Sequence, residues 1–112
     1  MNQSISDFIR SRKIDSIQKL NLLLFLYQNP GTQGTSRYFA KKLYLGDTRL
    51  VETIIRELTD RGVINDAGQH YFLADTPDIK SSLYLLANSF EYPLTRQKLL
   101  AQVQSGDHNG TH

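Results

Sequence analysis

The segment from residue 17 to residue 27 constrains the fold most, because it is apolar on nearly every side of the helix it predicts. Its apolar residues are Ile17, Leu20, Leu22, Leu23, Leu24, Phe25, Leu26 and Tyr27. A helix with this pattern must be covered all round by other elements. We therefore expect it to be the central core helix, with an oligomerisation surface as the alternative. Asp15, with Gln18 three residues later, predicts its N-cap in a capping box.

Two shorter helices separated by a tight turn are expected next. The first is predicted over residues 35–43, and residues 44–46 form the turn. The second is expected to begin at Asp47, a favourable N-cap residue. Its inward apolar positions are Val51, Ile54, Ile55 and Leu58. Gly62 is expected to end it, because glycine adopts the left-handed conformation at little cost.

Beyond Gly62 the apolar pattern changes from the helical period to short apolar runs. The runs Val63-Ile64 and Tyr71-Phe72-Leu73 flank the turn-rich residues 65–68. Two short strands around a turn that contains glycine predict a β-hairpin. The expected fold class is therefore mainly α with a small β-hairpin.

Further helices are expected at both ends of this central part. A short amphipathic helix is predicted from about residue 4 to residue 12. After the hairpin, Thr76 and Pro77 predict the start of a long helix, because proline is favoured at the first helical position. Thr95 is expected to start the last helix. Residues 105–112 contain no large apolar side chain and predict a disordered tail.

Composition excludes several classes of function. The chain has 112 residues and no cysteine, which excludes disulfide frameworks, thiolate metal sites and iron–sulfur clusters. No apolar run approaches the ~18 residues of a membrane-spanning helix, and the start lacks the features of a secretory signal, so we expect a cytoplasmic protein. Only His70 of the three histidines lies outside the tail, and it has no partner at metal-ligand spacing. The sequence predicts no enzyme, no metal and no cofactor.

The order helix, helix, turn, helix, hairpin, helices resembles the winged helix-turn-helix of bacterial transcriptional regulators. The resemblance lies mainly in residues 35–73, where Leu58 followed by Gly62-Val63-Ile64 is similar to the x-Leu-x-x-x-Gly-Leu-Ile ending of that superfamily. MarR-like regulators share this helix-to-wing junction. Iron–sulfur-type repressors are also similar through residues 71–79, but their cluster-ligating cysteines are missing here, so cluster sensing is not implied.

The resemblance also implies a division of the chain. Residues 1–14 form an N-terminal helical arm, residues 15–75 the winged-helix domain, residues 76–104 the C-terminal helices and residues 105–112 the tail. In the related regulators, helices outside the wing form a dimer. We likewise expect the arm and the C-terminal helices of this chain to form a homodimer interface. The alternative is that they pack against their own domain.

By resemblance, the chain is expected to bind double-stranded DNA sequence-specifically as a small transcriptional regulator. The third helix would enter the major groove and the wing would lie on the backbone. Arg49 is the leading candidate to read a base, because its guanidinium can contact guanine bidentately. The residues implied to contact DNA are Arg37, Lys41, Lys42, Thr48, Arg49, Thr53, Arg56, Gln69 and His70.

The distribution of charge along the chain supports this function only in part. Residues 1–45 carry seven basic and two acidic residues, whereas residues 46–80 carry four basic and seven acidic ones. The basic excess therefore precedes the third helix, while that helix and the wing contain acids such as Glu52 and Asp66. A second function stays open: a winged-helix module that binds a protein partner through this acidic face and does not bind DNA.

Overall fold

The computed structural model describes residues 3–109, with side chains through residue 104. Over that range the chain forms six helices and one two-stranded antiparallel sheet, as the predicted fold class requires. The helices are α1 (Gln3–Ser11), α2 (Ile17–Gln28), α3 (Ser36–Lys42), α4 (Thr48–Asp60), α5 (Pro77–Glu91) and α6 (Pro93–Asn109), and the strands are β1 (Ile64–Asp66) and β2 (Tyr71–Leu73). No helix in this range is both long and apolar enough to cross a membrane.

Helix α2 lies at the centre of the core, as its apolar sequence predicts. Its buried leucines are Leu20, Leu22, Leu23, Leu24 and Leu26. Helices α4, α5 and α6 and strand β2 all pack against it. Ile17, at the first helical position, is 36% exposed and so does not belong to the core.

The start of α2 differs from the prediction. Ser16 is the N-cap, and its side-chain oxygen accepts a hydrogen bond of 3.2 Å from the Lys19 amide. Asp15 instead accepts a hydrogen bond of 2.7 Å from Lys19 Nζ. The reason is electrostatic: a buried ammonium requires a carboxylate, whereas an N-cap requires only a side-chain oxygen such as that of serine.

Lys19 is the one buried charged residue in the described part of the chain, with 2% of its surface exposed. Its Nζ donates to the Lys13 carbonyl at 3.0 Å and to Asp15 Oδ1 at 2.7 Å, and it forms an ion pair with Glu57 Oε1 at 2.9 Å. Three oxygens therefore contact the buried ammonium. Because Lys13 and Asp15 belong to the loop between α1 and α2 and Glu57 belongs to α4, one cation joins that loop and α4 to α2.

Helices α3 and α4 are joined by a tight turn and keep the predicted limits. Thr35 caps α3 and Asp47 caps α4 through side-chain hydrogen bonds. Gly62 follows the C-cap of α4 with φ 77°, which confirms its predicted left-handed conformation. The buried residues of the two helices are Phe39, Ala40, Val51, Ile54, Ile55 and Leu58. The opposite face of α4 is left exposed.

The hairpin forms where predicted, but its turn lies further along the chain. Strands β1 and β2 pair antiparallel with Asp66 opposite Tyr71. The turn was expected within residues 65–68, whereas its central residues are Gly68 and Gln69, with φ 68° and 71°. Positive φ at both positions is the pattern of a type I′ turn, whose twist matches that of the strands it joins.

A single bridge fixes the hairpin beside the start of α3. The Gly34 amide donates to the Tyr71 carbonyl at 3.1 Å, and the Gly34 carbonyl accepts from the Tyr71 amide at 2.7 Å. Gly34 is buried, and a Cβ at this position would lie 2.4 Å from Cδ2 of Tyr38. Glycine is thus required here by the close approach of the Tyr38 ring.

The terminal helices pack back on the central part of the same chain. Helix α1 lies against α5 and α6, and these two helices lie against α2. Their buried side chains are Ile5, Phe8, Ile9, Ile79, Leu83, Leu86, Leu99 and Val103. The apolar stripes that suggested a homodimer interface are therefore covered within the chain, and the homodimer itself stays a prediction.

The limits of the terminal helices agree with the sequence in part. Helix α5 starts at Pro77 as predicted, but α6 starts at Pro93, two residues before Thr95, because proline is tolerated in the first helical turn. Helix α6 runs into the segment of the predicted disordered tail, residues 105–112. The side chains of that segment lie outside the described residues, so the tail stays a prediction.

Arg12, after the end of α1, joins this helix to two other elements. Its guanidinium donates to the Arg61 carbonyl at the end of α4 and to Asp78 Oδ2 in α5, the latter at 3.2 Å. The pKa of the Asp78 carboxyl lies below its ordinary value, first through a hydrogen bond with the Thr76 side chain and also through the charge of Arg12. The Arg12 side chain therefore serves the fold.

Replacing the buried ammonium should destabilise the whole domain. We expect Lys19→Met to lower the free energy of unfolding by about 2–4 kcal/mol, because two carboxylates and a carbonyl lose their cation while their partial exposure limits the loss. Urea unfolding measures this change. Lys98→Met, at an exposed lysine of α6, is the matched control and should stay within about 0.5 kcal/mol of wild type. Equal effects of the two substitutions would contradict the role given to Lys19.

A methyl group at Gly34 should also destabilise the fold. We expect Gly34→Ala to cost about 1–3 kcal/mol, since the Tyr38 ring must move to make room. The matched control is Gly46→Ala, where a Cβ meets no atom within 4 Å and φ is not positive. That control should be neutral or slightly stabilising. Thermal unfolding of both variants measures the difference, and an unchanged melting temperature for Gly34→Ala would refute the packing argument.

Candidate nucleic-acid interface

The exposed face of α4 carries most of the predicted site. Arg49, Glu52, Thr53 and Arg56 are exposed on the side of the helix away from its core residues, and Thr48 is half-buried beside them. Two of the five are arginines whose side chains form no ion pair within the described residues. The helix thus presents polar and charged groups to solvent along its whole length.

The N-terminus of α4 is held by its own side chains. Asp47 Oδ1 accepts hydrogen bonds from the Arg49 amide at 3.0 Å and from the Leu50 amide at 3.3 Å. Thr53 Oγ1 donates to the Arg49 carbonyl at 3.1 Å, so its hydroxyl is engaged with the helix backbone. The acidic charge of Asp47 is therefore used in capping, and the Arg49 side chain is left unpaired in this part of the chain.

Helix α3 presents three cations to solvent. Arg37, Lys41 and Lys42 are all exposed, and the Lys42 ammonium lies 5.7 Å from the centre of the Tyr38 ring in a cation–π contact. None of the three forms a salt bridge with a described residue. The α3 cations and Arg49, in the first turn of α4, lie on either side of the same turn of the chain, and we refer to these four residues as the basic surface.

A cleft of about 800 Å³ lies between the start of α3, the exposed face of α4 and the hairpin. It is lined by Thr35, Ser36, Arg37, Thr48, Glu52, Arg56, Thr59, Asp60, Asp66, Gln69 and Tyr71. Four predicted contact residues therefore meet here: Arg37, Thr48, Arg56 and Gln69. The other five, Lys41, Lys42, Arg49, Thr53 and His70, are exposed but do not line the cleft.

The charges of the cleft differ from those of the basic surface. Two arginines and three carboxylates line it, the latter from Glu52, Asp60 and Asp66. Asp66 Oδ1 accepts a hydrogen bond of 2.8 Å from the Gln69 amide, which closes the hairpin turn. The cleft is thus slightly acidic, whereas the turn side of α3 and α4 is basic.

Tyr44, in the turn between α3 and α4, is not among the nine predicted contact residues. The sequence favours packing of this tyrosine over contact with DNA, yet the residue is 95% exposed and takes the left-handed conformation, with φ 56°. The position directly after the C-cap of α3 was the available signal, because that position is commonly left-handed.

No grouping of three or more metal-ligating side chains occurs among the described residues. Comparison with known proteins gives no match: no family model, no curated protein and no solved structure is significantly similar to this chain.

Removing the cap of α4 should weaken the helix that carries Arg49. We expect Asp47→Ala to lower the free energy of unfolding by about 0.5–2 kcal/mol and to speed amide hydrogen exchange at Arg49 and Leu50. Asp47→Asn keeps a capping oxygen and should lose much less. Thermal unfolding with hydrogen exchange measures both effects, and slow exchange at Arg49 in the alanine variant would contradict the capping assignment.

Proposed function

We propose that this protein is a winged-helix transcriptional regulator that binds double-stranded DNA through α3, α4 and the hairpin. The observation that carries the proposal is the exposure and lack of ion pairing of the five predicted contact cations. In the described residues, Arg37, Lys41, Lys42, Arg49 and Arg56 are exposed and pair with no carboxylate, whereas Arg10, Arg12, Lys19 and Lys80 each pair with one. The other cations without a carboxylate partner there lie outside α3 and α4: Lys13, Arg61, Arg96 and Lys98.

Unpaired cations on one surface match the chemistry of a polyanionic backbone. Binding of lysine and arginine to phosphates releases counterions, and this release supplies most of the non-specific affinity for DNA. The α3 side chains Arg37, Lys41 and Lys42 are assigned to phosphates. The N-terminus of α4 is assigned to base edges in the major groove, in the docking geometry of helix-turn-helix proteins.

The individual roles follow from side-chain chemistry. Arg49 is assigned to guanine, whose O6 and N7 match its two parallel donors. Thr48 and Thr53 can contact phosphate or a thymine methyl group, and Arg56 lies further along the same helix face. Gln69 and His70 at the hairpin tip are assigned to the flanking backbone. A homodimer would place two copies of α4 about 34–36 Å apart.

A second candidate function is a winged-helix module that binds a protein partner. The three carboxylates of the cleft favour it, because they would repel phosphate and attract a basic segment of a partner. This candidate uses α4 and the hairpin but not the α3 cations. The two functions therefore differ in which side chains matter.

Fluorescence anisotropy with a 30-base-pair duplex tests the proposal. Wild type should bind with an affinity that falls steeply as salt rises. Lys41→Ala and Lys42→Ala should each reduce the slope of log affinity against log salt by about 1, while Arg49→Ala on a selected site should cost about 1–3 kcal/mol and relax specificity. Lys98→Ala, at an exposed lysine of α6, is the control and should change neither the salt slope nor the specificity.

Two results would reject DNA binding through the assigned surface. One is the absence of duplex binding by wild type at about 50 mM salt, a low concentration at which non-specific binding to DNA is favoured. The other is an unchanged salt slope in the Lys41→Ala, Lys42→Ala double variant. Retention of a basic peptide that depends on Glu52 and Asp66 would instead support the protein-binding function.

A further inference from the structure

Tyr44 adopts a conformation and an exposure that the fold does not require. It follows the C-cap of α3, and two backbone hydrogen bonds close that end of the helix. The Tyr44 amide donates to the Lys41 carbonyl at 3.2 Å, and the Leu45 amide donates to the Ala40 carbonyl at 2.8 Å. This is the Schellman arrangement, whose left-handed position is usually glycine. An L-residue with a side chain is disfavoured there.

The Tyr44 side chain gains nothing from the rest of the molecule that would offset this disadvantage. The side chain is 95% exposed, and its hydroxyl and ring have no hydrogen bond or ring contact with any described residue. Lys13 offers a comparison, since it too has a positive φ, 52°. There the conformation serves the fold, because the Lys13 carbonyl accepts a hydrogen bond from the buried Lys19 ammonium.

The surroundings of Tyr44 are basic. Lys41 and Lys42 lie just before it on α3, and both are exposed. On the other side, Asp47 is the nearest acid along the chain, and its carboxylate is occupied as the cap of α4. Arg49 follows on the first turn of that helix. A neutral hydroxyl donor thus stands between cations, on the surface already assigned to phosphates.

We infer that the Tyr44 hydroxyl donates a hydrogen bond to a backbone phosphate of duplex DNA. Strained, exposed positions that a protein retains are found at functional contacts, and tyrosine is among the side chains that donate to phosphate oxygens. The inference rests on the proposed function and adds a contact outside the nine residues that the sequence predicts. It commits to the DNA backbone, which the neighbouring lysines attract.

Two substitutions separate folding from binding. Tyr44→Gly should raise the melting temperature by about 2–5 °C, because glycine is relieved of the left-handed strain. Tyr44→Phe keeps the ring and removes only the donor. Both variants should bind a 30-base-pair duplex about 5- to 10-fold more weakly than wild type, which corresponds to the net loss of one ordinary, solvent-exposed hydrogen bond. Tyr84→Ala, at an exposed tyrosine of α5, is the control and should bind like wild type.

The salt dependence gives the decisive readout. A neutral donor releases no counterion, so Tyr44→Phe should weaken binding equally at every salt concentration and leave the slope unchanged, unlike Lys41→Ala. Two results would overturn the inference while leaving the proposed function intact, if wild type and the lysine variants behave as described above. One is a Tyr44→Phe variant that binds the duplex as tightly as wild type. The other is a Tyr44→Gly variant whose melting temperature does not rise. Failure of wild type to bind the duplex overturns both the inference and the proposed function.

Discussion

The buried ammonium of Lys19 is the interaction on which the arrangement of the helices depends. A charge that is removed from water must find partners, or the cost of its burial falls on the folded state. Here the partners are the Lys13 carbonyl and Asp15, both in the loop between α1 and α2, and Glu57 of α4. Through Glu57, α4 is held against α2.

Ion pairing also separates the basic side chains into two groups. Lys19 and Arg12 pair with Asp15, Glu57 and Asp78 and join elements of the fold, whereas the exposed Asp7–Arg10 and Asp75–Lys80 pairs contribute little. The cations of α3 and the exposed arginines of α4 have no carboxylate partner in the described residues. Of the seven basic residues in positions 1–45, three are therefore paired; of the other four, three lie on α3 and the fourth is Lys13.

Much of the fold could be predicted from local patterns. The Asp47 cap, the left-handed Gly62, the Pro77 start and the buried face of α4 each depend on a few adjacent residues, so the sequence carries them directly. The N-cap at Ser16 could not be predicted, because it depends on Asp15 being drawn to an ammonium that a distant Glu57 also contacts. The I′ turn at Gly68 and Gln69 was missed for a similar reason: Asn65 and Asp66 are typical turn residues, yet pairing with β2 places them in a strand.

The candidate site was predicted in its residues more than in its arrangement. Exposure of the predicted arginines and lysines on α3 and α4 follows from helical periodicity, but the separation of the site into a basic surface and a slightly acidic cleft depends on how the hairpin packs beside α4. That placement is fixed by the Gly34 bridge to Tyr71, which no local pattern indicates. The exposure of Tyr44 could not be predicted, because the burial of a turn residue depends on which distant elements pack beside the turn.

The most direct test of the account is to map the DNA-binding surface residue by residue. Amide chemical shifts of the labelled protein should be recorded during titration with a 30-base-pair duplex at low salt. The account predicts that the perturbed amides cluster in α3, residues 43–47, the first two turns of α4 and the hairpin tip, and that α5 and α6 change little. Perturbations centred on α5 and α6, or none at all, would contradict it.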